Sequence, residues 1–112
     1  MRSFIRQPYL VLDYKKDLKF PTHKIIMLKA EVNYTHFFFQ NRKMYTCAIT
    51  LKHFEKILHD SGFVRVHKSY LVNTIHIQHI DLDLGIVTLL DGTELLTSRR
   101  RRKILKHISD LS

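Results

Sequence analysis

The 112-residue chain is the size of one domain, and its 45% hydrophobic content, with five Tyr and seven Phe, supplies one packed core. Only three Gly and two Pro interrupt it, which excludes a disordered or low-complexity segment. The 19 Lys and Arg against 10 Asp and Glu give a formal net charge of +9, so the admissible partners are polyanions: nucleic acid, an anionic membrane surface or an acidic protein.

Two further exclusions follow from residue usage. The single Cys47 lies in the apolar run Met44-Tyr45-Thr46-Cys47-Ala48-Ile49 and has no intramolecular disulfide partner; it reads as a small buried hydrophobe in a reducing compartment. Arg2 and Arg6 are not followed by an apolar signal region, and no stretch reaches the roughly 18 apolar residues that cross a bilayer. The expectation is a cytoplasmic domain with no membrane partner.

In chain order, residues 1–22 read as an N-terminal extension or extra strand, with Tyr9-Leu10-Val11-Leu12 as strand and Asp13-Tyr14-Lys15-Lys16-Asp17 as a polar connection before Pro21. The domain proper covers 23–112. Ile25-Ile26-Met27-Leu28-Lys29-Ala30-Glu31 predicts a strand, and Tyr34-Thr35-His36-Phe37-Phe38-Phe39 a second one that ends at the turn Gln40-Asn41-Arg42-Lys43. The run from Met44 to Ile49 returns as a hairpin partner. Thr50 is placed to cap a helix with Leu51, Phe54, Ile57 and Leu58 on one face and Lys52, Glu55, Lys56 and Asp60 in solvent, closed by Gly62. Strands follow at Tyr70-Leu71-Val72, Ile75 to Ile80 and Ile86 to Leu90. Asp91-Gly92 then signals a hairpin into Thr93-Glu94-Leu95-Leu96-Thr97. A last helix, capped by Ser98, carries Ile104, Leu105 and Ile108. The sum is six to eight short strands and one or two helices, mostly antiparallel β, with no βαβ repeat.

The densest charge run is Arg99-Arg100-Arg101-Arg102-Lys103. Positive side chains at a helix start oppose the macrodipole and repel one another, while the backbone N–H groups there favour an anion. Both effects point to a nucleic-acid backbone. Arg99, nearest the Asp91-Gly92 hairpin, is assigned to base reading, because a guanidinium can bond guanine bidentately; Arg102 is assigned to phosphate. A second polar constellation is Phe63-Val64-Arg65-Val66-His67-Lys68-Ser69-Tyr70-Leu71-Val72-Asn73. Arg65 and Lys68 bring charge and Ser69 a compact hydroxyl, and all three are assigned to DNA contact; His67 suits a packing or network role, and Asn73 suits a turn lock as well as a ligand contact.

These segments, with Leu28-Lys29-Ala30-Glu31 and Asn33-Tyr34 before them and Ile80, Asp91-Gly92 and Ser98-Arg99-Arg100 after, resemble the LytTR DNA-binding domain of bacterial response regulators over roughly residues 23–108. The resemblance implies an elongated stack of small antiparallel sheets with one or two short helices, whose loops enter successive major grooves. It places the DNA contacts at Asn33 and Tyr34, at Lys68 with Ser69, and at Arg99. It also implies paired or repeated sites on double-stranded DNA, a dimer on DNA and a monomer free in solution. Family members usually follow a phosphoacceptor receiver domain or a membrane-spanning segment, and these residues contain neither, so the expectation is a stand-alone regulator or an excised domain.

Other functions are less well supported. His76 and His79 share a face only in a helix, yet Ile75, Ile77 and Ile80 make that run strand-like; His53 and His59 lack further ligands at metal spacing. No Ser-His-acid or paired-carboxylate set emerges, so neither an enzyme nor a cofactor is expected. An RNA-binding module could stack bases on exposed aromatics such as Phe37-Phe38-Phe39, although alternation sends Phe38 to the opposite face from its neighbours. A protein-binding anti-regulator on the same fold is the remaining alternative.

Overall fold

In the structure, a computed structural model that describes residues 8–111, the chain forms three antiparallel sheets and two helices. Strands β1 (Tyr9–Asp13) and β2 (Leu18–Pro21) make a hairpin. A five-stranded sheet follows, in the order β5-β4-β3-β7-β6, from β3 (Ile25–Glu31), β4 (Tyr34–Phe39), β5 (Met44–Cys47), β6 (Phe63–His67) and β7 (Tyr70–Asn73). Strands β8 (Ile77–Asp81), β9 (Ile86–Leu89) and β10 (Glu94–Leu96) build the third sheet. Helix α1 (Leu51–Ile57) joins β5 to β6, and α2 (Arg102–Leu111) closes the chain. The molecule extends 45 × 43 × 25 Å, long in two directions and thin in the third.

The five-stranded sheet is covered on both faces. On one side Ile25, Leu28, Phe37 and Leu71 pack with Leu51 and Phe54 of α1 and with Leu58 just after it, and with Leu10 and Phe20 of the β1–β2 hairpin. On the other, Ile26, Met27, Val66 and Val72 meet Val87, Leu89 and Leu95 of the third sheet and Leu105 of α2. Strict alternation would not send Ile25 and Leu28 one way and Ile26 and Met27 the other. A bulge does so: Ile25 pairs with Phe39 and Met27 with Phe38, leaving Ile26 as the extra residue. The Phe37–Phe39 run is consumed by these cores. Phe37 and Phe39 face the first, with Phe54 4.9 Å from Phe37 in an edge-to-face contact, and Phe38 packs on the second.

Local signals act as the sequence leads one to expect at several points. Thr50 caps α1, its hydroxyl accepting from His53 N at 3.4 Å. Gly62 takes φ +83 before β6, and Gly92 φ +91 in the hairpin between β9 and β10. In that hairpin Thr93 N–H donates to Asp91 Oδ1 at 2.9 Å, and this bond holds the Asp91 carboxyl below its ordinary range. Asn73 is the turn lock: its Nδ2 donates to the carbonyls of Ile25 (3.0 Å) and Thr22 (3.2 Å), while its Oδ1 accepts from Ile75 N. Burial of the Cys47 thiol, which packs partly against the first core, raises its pKa.

Four expectations are corrected. There are ten strands among the described residues, because Leu18–Pro21 and Phe63–His67 also pair; Pro21 is tolerated at the end of a two-stranded hairpin, where no further ladder bond is needed. Strand β8 starts at Ile77, since the Asn73 side chain caps a 3₁₀ turn over Thr74–His76. Ile57 is exposed, because Leu51, Phe54 and Leu58 alone fill the contact and the helix gives way to a 3₁₀ turn after Leu58. Ser98 does not cap α2: a 3₁₀ turn over Arg99–Arg101 intervenes, and the buried Ser98 hydroxyl has no hydrogen-bond partner among the described residues.

Candidate nucleic-acid interface

Pairing register decides which turns are neighbours. Glu31 pairs with Tyr34, so Val32 and Asn33 form a two-residue turn at one end of the sheet. Lys29 pairs with Tyr70, and Ala30 N–H donates to Ser69 O at 2.8 Å, which brings the Lys68-Ser69 turn beside that end of β3. Strand β6 is the sheet edge next along, and its Val66 carbonyl accepts from Ser98 N at 3.1 Å. Asn33 and Tyr34, Lys68 and Ser69, and Arg99 therefore follow one another across β3, β7, β6 and the segment leading into α2. Asn33, Tyr34, Lys68 and Arg99 are exposed, and Ser69 is half-buried.

The Lys68-Ser69 turn is internally braced. Ser69 N–H donates to His67 Nδ1 at 3.1 Å, which fixes that nitrogen as an acceptor, and the imidazole lies 5.1 Å from the Tyr70 ring. Arg65, whose side chain is only 14% exposed, pairs through Nη1 with Glu55 Oε1 of α1 at 2.9 Å. Its Nη2 donates to the Lys68 carbonyl and its Nε to the His67 carbonyl. Arg65 thus spends its donors inward and holds the turn from which Lys68 projects. At the sheet end, His36 Nε2 meets Glu31 Oε1 and Nδ1 meets Thr46 Oγ1, each at 2.7 Å, fastening the strands that carry the Asn33 turn.

The basic run divides in the same way. Arg99, Arg100 and Lys103 are exposed, while Arg101 and Arg102 are half-buried. The Arg102 guanidinium lies on the β8–β9 turn: Nη2 is 3.5 Å from the Leu84 carbonyl, and the buried Nε has no partner among the described residues. Gly85 makes room for it at φ +68, since a Cβ there would stand 2.6 Å from Nε. Gly85 also accepts from the Thr97 N–H and hydroxyl, both at 2.8 Å, so this turn anchors the approach to Ser98 and Arg99. The sequence signal for Arg102's place was Gly85 itself, a glycine just before a strand, where close approach of another group is often the reason for its presence. For Arg65 no local signal existed, because Glu55 belongs to another element.

Sheets joined by short turns, with polar and basic turns gathered along one side, define the class: a small β-rich binding module. The chain belongs to the LytTr DNA-binding domain family, whose family model matches residues 15–110. It is 39% identical over 67 residues to the sensory transduction protein LytT of Bacillus subtilis (strain 168), a stretch that is 57% of this chain and 28% of that protein. The chain thus spans little more than a quarter of this relative. Its fold is that of the LytTr DNA-binding domain of a putative methyl-accepting/DNA response regulator from Bacillus cereus, with a TM-score of 0.74 over 91% of this chain and 96% of that one, at 22% identity. No helix among the described residues is long and apolar enough to cross a membrane.

Proposed function

We propose that this domain binds double-stranded DNA sequence-specifically and reads successive major grooves with its turns, within a cytoplasmic transcription regulator. Asn33 and Tyr34 enter first, Lys68 and Ser69 next, and Arg99 last. The observation that carries the reading is the alignment of these turns, set by the Ala30–Ser69 and Val66–Ser98 backbone bonds. The name of the Bacillus subtilis relative, a sensory transduction protein, supports placing the domain in a signalling regulator. Phe37 is buried, and Phe38 and Phe39 are half-buried against the two cores, which leaves little of this run for the base stacking an RNA reader uses.

Two protomers are expected on paired or repeated sites, because one short module covers less than the roughly 1,000 Å² typical of specific DNA interfaces. Selection of bound duplexes from a random pool should return a repeated motif, and sedimentation should give two protomers per selected duplex with a monomer free in solution. An unenriched pool, or one protomer at saturation, would contradict the respective half of this reading.

Salt dependence separates the outward cations from the braced ones. A side chain that neutralises one phosphate contributes about 0.9 to the slope of log affinity against log salt. Arg65→Ala and Arg102→Ala should therefore weaken binding and lower the melting temperature while leaving the slope near that of the wild type. The same titrations with Lys68→Ala should show a loss without loss of fold, checked by circular dichroism. A slope reduced by about 0.9 in Arg102→Ala would return that residue to the phosphate-contacting set.

A further inference from the structure

Three non-glycine residues among the described ones have positive φ, each in a hairpin turn: Asp17 (φ 52), Val32 (φ 53) and Arg42 (φ 67). Aspartate tolerates the left-handed region through local side-chain bonds, and an unbranched arginine suffers only a single Cβ contact there. Val32 is the odd member. It is β-branched, so this backbone conformation is a steric outlier for it. It is also 90% exposed, so no packing within the domain offsets the strain. The turn would be more comfortable with glycine or asparagine, and water would be a better neighbour for either than for two bare methyl groups.

An apolar group held strained and bare at the tip of a turn is explained by a contact made outside the chain. Its place says which. Val32 immediately precedes Asn33 in the first of the three turns proposed to face DNA, and the rigid two-residue connection between β3 and β4 fixes its direction. The major groove presents one apolar methyl, the 5-methyl of thymine, beside the hydrogen-bond donors and acceptors of the base edges. We propose that Val32 is a specificity-determining residue that packs against a thymine methyl, next to the polar contact made by Asn33. The inference rests on the DNA-binding reading above and adds to it a base identity at one position.

The test uses the duplex obtained by selection and replaces its thymines one at a time by deoxyuridine, which removes the methyl and leaves pairing intact. Wild-type protein should lose about fourfold in affinity at one thymine of each half-site, the effect of one buried methyl, and little elsewhere. Val32→Gly, which suits the turn, should retain or raise the melting temperature and bind thymine and deoxyuridine duplexes equally at that position. Val32→Ala, which keeps the strained backbone but trims both methyls, should lose the discrimination as well. A flat uridine scan with wild-type protein, or discrimination that survives in Val32→Gly, overturns the proposal while leaving DNA binding standing. Failure to select any duplex would instead overturn the reading on which it rests.

Discussion

Arg99→Ala is expected to lose about 1–3 kcal/mol on the selected duplex and far less on scrambled DNA, the signature of a lost bidentate contact to guanine. Arg99 is exposed at the first position of the 3₁₀ turn, directly after Ser98, whose N–H is bonded to Val66. Its backbone is thereby tied to the edge of the five-stranded sheet, while its guanidinium has no ion-pair partner among the described residues. Arg99→Lys keeps the charge but not the planar fork and should recover nonspecific affinity without the preference. Titrations of the wild type and both variants against cognate and scrambled duplexes, at matched salt, separate these outcomes. Equal losses on the two duplexes for Arg99→Ala would reassign the residue to phosphate.

Phe37→Ala should be the most damaging single truncation, at about 3–5 kcal/mol of stability. The side chain is fully buried at the centre of an aromatic cluster, with ring centroids of Phe54 at 4.9 Å, Phe20 at 5.9 Å and Tyr45 at 6.1 Å. These rings come from β2, β5 and α1, so the cavity would loosen both the hairpin and the helix from the sheet face on which they pack. On a domain of this size such a loss lowers the melting temperature by on the order of 15 °C or more. Thermal denaturation followed by circular dichroism measures it; a drop of only a few degrees would mean that the cluster collapses around the gap.

Much of this architecture was legible because the relevant signals are local. Thr50 before Leu51, the Asp91-Gly92 pair and the β-rich runs around Ile25 and Tyr34 each act over a few residues, and each does in the fold what its chemistry suggests. Lys68 and Arg99 stood out by charge and placement alone. The direction in which an arginine points is not local. Arg65, Arg99 and Arg102 are chemically identical in the sequence, yet Glu55 draws the first inward and the bare backbone of Gly85 receives the third. The bulge at Ile26 was hidden for a related reason: in Ile25-Ile26-Met27-Leu28 every residue is apolar, so the pattern carries no mark of the phase change that sends two of them to each face. Val32 carries no mark in the sequence, because a lone exposed valine is ordinary until its backbone angle is known.

The bulged strand at the middle of the sheet has a consequence for how the domain comes apart. Because β3 lends Ile25 and Leu28 to one core and Ile26 and Met27 to the other, the loss of β3 from the sheet would open both cores at once. The two cores are expected to melt in one transition, which coincident near- and far-ultraviolet circular dichroism melts would show. Damage under the β1–β2 hairpin should therefore lower the stability of the strand ends that carry Lys68 and Arg99, as should damage beneath α2.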